Sequence, residues 1–234
     1  DEVDPWLLPV RGEDVVAGFV FKTPLFYGFD KSLAALADGQ LGKGLDLQSS
    51  VQISNELQAQ LGSQGIAINR IAINVSARQF KQVDFIPLVQ EVIRDSGIDP
   101  SQLELELTES ILIDDLGRTL EALSQLRAMG VRMAIDDFGT GYSSLNYLKQ
   151  FPVDTLKIDQ SFIRNLPNNA DDAQITRTII SMAHNLGLGV IAEGVETEQQ
   201  LNFLQQVECE EIQGFYLSKP LPEPKLLEYI QQKN

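Results

Sequence analysis

The chain has little sulfur or imidazole chemistry to offer: its 234 residues contain one cysteine, Cys209, and one histidine, His184. A lone cysteine has no internal disulfide partner and no Cys neighbours for a zinc site. It points to a reducing compartment and to a packing thiol. Zinc also loses its other usual ligand, because His184 falls inside an expected helix, away from every strand end, where a packing or surface role accounts for it. Cations are scarce as well, with Lys+Arg 18 against Asp+Glu 33 and a formal net charge of -15. A field of that sign repels polyanions and excludes duplex nucleic acid as a partner. A small anion stays admissible, since a bound divalent ion and one or two placed cations reverse the local potential inside an acidic cleft. No apolar run reaches the length of about eighteen residues that a membrane-spanning helix needs, and Asp1 to Asp14 is too acidic for a secretory signal. The segment is expected to be soluble, cytoplasmic and without membrane contact of its own.

With 43% hydrophobic residues there is ample material for one core. From residue 70 onward short apolar runs alternate with stretches of helical periodicity, an order that predicts parallel strands with crossover helices. Strands are expected at Arg70 to Val75, Gln102 to Thr108, Val131 to Asp136, Thr155 to Asp159, Val190 to Glu193 and Glu211 to Phe215. Helices are expected at Asp84 to Asp95, Asp115 to Met129, Ala170 to Leu186, Glu198 to Val207 and Lys225 to Gln231. Gly130 and Gly187 follow two of these helices, and Thr197 is placed as an N-cap. The first third is less regular: strands at Leu7 to Val10 and Val15 to Phe21 surround an Arg11-Gly12-Glu13-Asp14 turn, and a helix runs from about Asp46 to Leu61. No Pro/Ser-rich linker or short-period repeat divides the chain, so residues 1–234 read as one domain.

In an α/β barrel the strands' C-terminal ends converge on one face and build the site. Here those ends read Ile73-Asn74, Glu106-Leu107-Thr108-Glu109, Ile135-Asp136-Asp137, Leu156-Lys157-Ile158-Asp159, Ala192-Glu193-Gly194-Val195-Glu196 and Ile212-Gln213-Gly214. Taken singly, an Asp at a strand end is as well explained by capping the next helix, and Lys157 by neutralising Asp159. Six successive ends bearing a carboxylate, an amide or an amine are a different matter. Oxygen donors suit Mg²⁺, Mn²⁺ or Ca²⁺, and a lysine beside paired carboxylates has the ingredients for metal-assisted phosphodiester hydrolysis. No P-loop, Ser/His/Asp arrangement or dinucleotide fingerprint is present, and Gly139-Thr140-Gly141 has the wrong spacing.

The order of Asn74-Val75-Ser76, Glu106-Leu107-Thr108-Glu109-Ser110, Asp136-Asp137-Phe138-Gly139-Thr140-Gly141-Tyr142-Ser143-Ser144, Lys157-Ile158-Asp159, Ala192-Glu193-Gly194-Val195-Glu196-Thr197 and Gln213-Gly214 resembles the EAL domains. The resemblance covers about Leu7 to Leu221 and is strong from Arg70. It implies a modified TIM (β/α)8 barrel with one antiparallel strand near its start. It also implies an active form that linearises cyclic di-GMP with two Mg²⁺ or Mn²⁺ ions, Ca²⁺ being inhibitory. By position, Asn74, Glu106 and Asp136 match first-metal ligands, Asp137 a ligand of the second metal, and Lys157 the residue that orients the attacking water. Glu193 and Gln213 match further members of that network. Glu109 matches a glutamate that steadies the loop from Asp136 through Phe138, Gly139 and Tyr142 to Ser144, which in the family links dimerisation to metal occupancy. Asp159 and Glu196 match pocket residues, and Pro220 a segment flanking a guanine base. The implied partners are cyclic di-GMP, a second copy through the Asp136–Ser144 loop and a regulatory protein. The implied setting is the C-terminal part of a larger signalling protein, itself free to carry a membrane anchor.

One departure stands out. The family's first strand reads Glu-Ala-Leu-Leu-Arg, yet no acid occurs between Asp14 and Asp30. Aligning on Val15-Val16 puts Phe19 in the Glu place and Thr23 in the Arg place; a one-residue shift puts Gly18 and Lys22 there, and Lys22 then keeps a cation for a phosphate oxygen. Upstream, Leu8-Pro9 stands where the family often has Gln-Pro. Glu13, in the hairpin turn, falls toward the other end of the barrel. Three readings follow: a cyclic di-GMP receptor with weak or no hydrolysis, with or without metal; a working phosphodiesterase; and a nucleotide-independent interaction module.

Overall fold

The computed structural model describes Leu47, Val51 and residues 70–113, 115–141 and 148–217. The expected strands before residue 22, including the antiparallel one, lie outside these residues. So do most of the helix 46–61, the loop beyond Gly141 and the helix 225–231. Leu47 and Val51 are helical, buried and part of the core.

Six strands pair in parallel and in chain order: β1 (Ile71–Val75), β2 (Leu103–Thr108), β3 (Arg132–Phe138), β4 (Thr155–Ile158), β5 (Gly189–Glu193) and β6 (Glu211–Gln213). All six were expected, with ends displaced by a residue or two. β4 stops at Ile158 rather than Asp159 because the Asp159 carboxylate turns to accept from the backbone N–H of Ser161, capping the next helix. β6 stops at Gln213 rather than Phe215 because the chain turns over Gly214 to Leu217. The intervening helices are α1 (Ala77–Phe80), α2 (Phe85–Ser96), α3 (Glu109–Ile113), α4 (Leu116–Ala128), α5 (Gln160–Ile163), α6 (Ala170–Asn185) and α7 (Glu198–Gln206). Asp115, Asn169 and Thr197 cap α4, α6 and α7 through their side chains. No helix among the described residues is long and apolar enough to cross a membrane.

The strands alternate in an unusual sense. β2 reads Leu-Glu-Leu-Glu-Leu-Thr, and Leu103, Leu105 and Leu107 are fully buried in the core that the sheet shares with the helices. Period two sends Glu104 and Glu106 to the opposite face, where they are buried just as deeply. The inner face is therefore a polar interior, and each of its charges needs a partner.

Those partners show how far the sheet curls. Arg70, immediately before β1, pairs through Nη2 with Glu211 Oε2 at the start of β6, at 2.5 Å. β1 and β6 are the two edges of the described sheet, and in a flat sheet five spacings of about 4.8 Å would separate them. Contact between their inward side chains requires the sheet to bend round as a barrel does. Arg70 Nε also lies 3.3 Å from Glu104 Oε1, Thr155 Oγ1 donates to Glu104 Oε2 at 3.1 Å, and Arg132 Nε stands 3.8 Å from that oxygen. Burial raises the Glu104 carboxyl above its ordinary pKa, and Arg70 only partly offsets it.

Candidate functional site

At the other end of the strands, the inward positions bring together Asn74, Glu106, Asp136, Lys157, Glu193 and Gln213. Lys157, from β4, is wholly buried. Its ammonium meets Glu106 Oε1 of β2 at 2.5 Å, Glu193 Oε1 of β5 at 2.8 Å and Asp136 Oδ1 of β3 at 3.1 Å. Burial by itself would lower the lysine pKa; the carboxylates of Glu106, Glu193 and Asp136 together more than reverse it and hold it above the usual lysine value. A cation with a raised folded pKa contributes stability that is complete below the unfolded lysine pKa and lost only as pH climbs through the folded one. The cluster is therefore intact across neutral pH.

Asp136 and Asp137 are neighbours in sequence, and a regular strand would send them to opposite faces. The pairing of β3 with β4 shows why it does not. Ile135 pairs with Leu156 and Phe138 with Ile158, so β3 uses three steps where β4 uses two. Asp137 is the extra residue of a β-bulge, with φ at 54°, in the left-handed region that Asp and Asn tolerate better than most residues. The bulge brings its carboxylate alongside those of Asp136 and Glu193, ligand atoms of all three lying within 4.8 Å of one another, and returns Phe138 to the buried apolar side. Asp137→Asn should keep the fold, because Asn accepts the same backbone, while weakening divalent-cation binding at least about 10-fold through the lost charge. Asp137→Val, β-branched at a positive φ, should in addition destabilise by about 1–2 kcal/mol. Calorimetry with Mn²⁺ and urea denaturation separate the two effects.

The donor set fits a hard divalent cation: carboxylate oxygens, no imidazole, no thiolate. Two buried amide atoms on the same face, Asn74 Nδ2 and Gln213 Oε1, have no hydrogen-bond partner among the described residues. Buried amides in that state accord with a site for water, ion or ligand.

Glu109 opens α3 and is buried. Its Oε2 accepts from Gly139 N at 3.1 Å and Gly141 N at 3.2 Å, tying the segment after β3 to the end of β2. Gly139 has φ at 98°, and a Cβ there would stand 2.7 Å from Phe162 Cε2, so the segment also locks against α5. The other predicted residues are placed less centrally. Asp159 is half-buried at its cap, and Glu196 is exposed with its backbone N–H donated to Gln200. Lys22, Tyr142 and Pro220 lie outside the described residues. Cys209 is a packed thiol, pushed up to about 12 chiefly by burial and donating to Glu211 O at 3.3 Å; it is no nucleophile. His184 pairs with Glu210 on the helix surface, away from the site. Gln200 and the Arg70–Glu104–Glu211 network were not anticipated. The Thr197-x-x-Gln200 spacing is a legible capping-box signal for the former, whereas nothing local announces contacts across 141 residues.

Fold and site together define an α/β barrel whose polar mouth is organised round one buried lysine and an acid cluster suited to a cation. The chain belongs to the EAL domain family, whose model matches residues 22–220. The expected strand Val15 to Phe21, aligned with the family's first strand, precedes the matched stretch. The chain is 46% identical over 160 residues to the signaling protein YkoW of Bacillus subtilis, a match covering 68% of this chain and 20% of that protein. It resembles the solved structure of the PaMucR phosphodiesterase in complex with c-di-GMP at 40% identity and a TM-score of 0.70, covering 84% of this chain and 79% of that one. It also resembles the manganese and cyclic di-GMP complex of BlrP1 from Klebsiella pneumoniae, at 30% identity and a TM-score of 0.64, covering 74% and 43%. The chain spans about a fifth of the length of the curated relatives it matches.

Proposed function

We propose that this domain binds cyclic di-GMP at the barrel mouth as a receptor, with hydrolysis weak or lost. The observation that carries the reading is the assembled lysine cluster. Three buried acids and a buried cation on four separate strands are costly to maintain, which supports a role at the barrel mouth. Against full catalysis stands the first strand, which offers no acid from residue 15 to residue 29. Asp136, Asp137 and Glu193, with Asn74 and Glu106 beside them, would hold Mg²⁺ or Mn²⁺. A cation held there supplies Lewis-acid polarisation of a phosphodiester. The chain's own part is electrostatic and positional: Lys157 holds the acids in place, Gln213 and Asn74 present amide atoms to the ligand, and Glu109 holds the loop that borders the mouth. Lys22, with Pro220, completes the ligand contacts on this reading. Pairing of two copies through the 136–144 loop, and a regulatory partner, belong to the same proposal.

A working phosphodiesterase is the second reading, favoured by the closeness of the Asp136, Asp137 and Glu193 carboxylates. Titrating cyclic di-GMP calorimetrically in EDTA, Mg²⁺, Mn²⁺ and Ca²⁺, and chromatographing the same samples for linear product, decides between them. Binding without product is expected. Product that disappears in Asp136→Ala or Lys157→Ala protein would establish the second reading, and no heat of binding in any condition would overturn both.

A further inference from the structure

We infer that Gln200 is a positioning residue for Glu193, a reading that rests on the cation site proposed above. Gln200 lies in the first turn of α7 and is 4% exposed. Its Oε1 accepts from the backbone N–H groups of Glu196 at 2.7 Å and Thr197 at 2.9 Å. Its Nε2 donates to the carbonyls of Ile163 at 3.1 Å and Arg164 at 3.2 Å. Both amide hydrogens and both acceptor directions are thus used, and the side chain has no spare capacity.

The four bonds join two places that matter. Glu196 and Thr197 end the turn that leaves β5 at Glu193, while Ile163 and Arg164 end the short helix that begins three residues after Lys157. Gln200 therefore clamps the segment behind the Glu193 carboxylate to the segment behind the Lys157 ammonium, the two groups that meet at 2.8 Å. The turn is pinned from its other side as well. Gly194 has φ at 72°, and a Cβ there would lie 2.6 Å from Gln160 Cβ. Val195 N donates to Gln213 O at 3.1 Å. A capping-box glutamine serving α7 alone would need only its acceptor; the two donated bonds to another helix are what local capping leaves unexplained. Glutamate, equally good as a cap, would lose both and place a charge in a buried site.

The test is the affinity of the nucleotide-free chain for Mn²⁺, measured by calorimetry, with thermal unfolding recorded on the same samples. Gln200→Met should weaken Mn²⁺ binding about 10-fold, the scale on which an outer partner of a metal ligand acts. Gln200→Glu, which keeps the bonds to Glu196 and Thr197 but breaks the two that reach α5, should lose about as much, roughly 10-fold, and it carries the test if the methionine variant does not fold. In a Glu193→Gln background Gln200→Met should add less than about 2-fold, because an effect exerted through Glu193 vanishes with its charge. Unchanged affinity in both Gln200 variants overturns the proposal, and so does an equal loss in the Glu193→Gln background, the mark of a merely structural role. A wild-type chain that takes up no Mn²⁺ overturns the cation site and this inference with it, while Mn²⁺ uptake indifferent to Gln200 overturns the inference alone.

Discussion

Replacing Lys157 by methionine is expected to lower the unfolding free energy at pH 7 by about 3–5 kcal/mol, out of a total that for such domains is about 5–15 kcal/mol. Methionine fills nearly the same volume, so the loss is not one of packing. It is the loss of a charge that Glu106, Asp136 and Glu193 share, all within 3.1 Å of Nζ in a fully buried position. Closely spaced carboxylates that lose a shared cation repel one another, and like-charge repulsion favours proton uptake, the direction of a raised folded pKa. Groups so shifted contribute stability that is complete below the ordinary carboxylate range, near about 4, and lost as pH rises through the folded value. The deficit of the variant relative to the unmutated chain should therefore shrink between pH 7 and pH 5. Added Mg²⁺ should shrink it at pH 7 by supplying another cation to the same acids. Urea denaturation in EDTA and in Mg²⁺, at both pH values, measures this. An equal deficit in all four conditions would show that Lys157 acts through shape and not charge.

Arg70→Met strikes the opposite end of the barrel and should behave differently. Glu104 is left fully buried, with Arg132 Nε at 3.8 Å as its nearest remaining cation among the described residues. The expected cost is about 3 kcal/mol, the lower end of the range for a broken buried pair. Mg²⁺ should relieve it less than it relieves the lysine cluster, because Glu104 has an oxygen already held by Thr155 and Arg132 and only Glu211 stands with it, fewer oxygen ligands than a divalent cation takes. Acid should relieve it: the Glu104 pKa is already raised by burial, so its contribution is complete below the ordinary carboxylate range and is lost as pH rises through the raised value. The double variant Arg70→Met with Glu104→Met should regain most of the loss, since two apolar groups in place of a buried ion pair are often neutral. A double variant no more stable than Arg70→Met alone would place the effect in packing instead.

The strands were legible because each is a short apolar run closed by glycine, a cap or a turn, and a parallel order follows from their alternation with helices. What escaped has a common cause. The single-turn helices Ala77–Phe80, Glu109–Ile113 and Gln160–Ile163 are too short for a 3.6-residue period to repeat. The bulge at Asp137 is one inserted residue, invisible until β4 is laid beside β3. Thus the Asp136-Asp137 pair was readable as chemistry, but not the means by which neighbouring side chains reach one face. The polar interior was half visible: Glu104 and Glu106 alternate with leucines in plain sight, and only the sheet's curvature shows that the glutamates face inward to Arg70 and Lys157. Asp159 illustrates the reverse. A residue singled out among the strand-end acids spends its carboxylate on a helix cap, as any aspartate in that position is apt to do.

The pairing of Arg70 with Glu211 across the barrel also sets an order of events during synthesis. Arg70 and Glu104 leave the ribosome before Glu211, and at about 5–20 residues per second Glu211 follows Glu104 only after roughly 5–20 s. Throughout that interval the nascent chain holds an arginine and a glutamate whose third partner does not yet exist, on a sheet whose far edge is unmade. Contacts of such long sequence separation form last and slowly. A half-made barrel of this kind carries an open, hydrogen-bonding edge, and the time it is exposed is at least the time taken to translate the remaining strands.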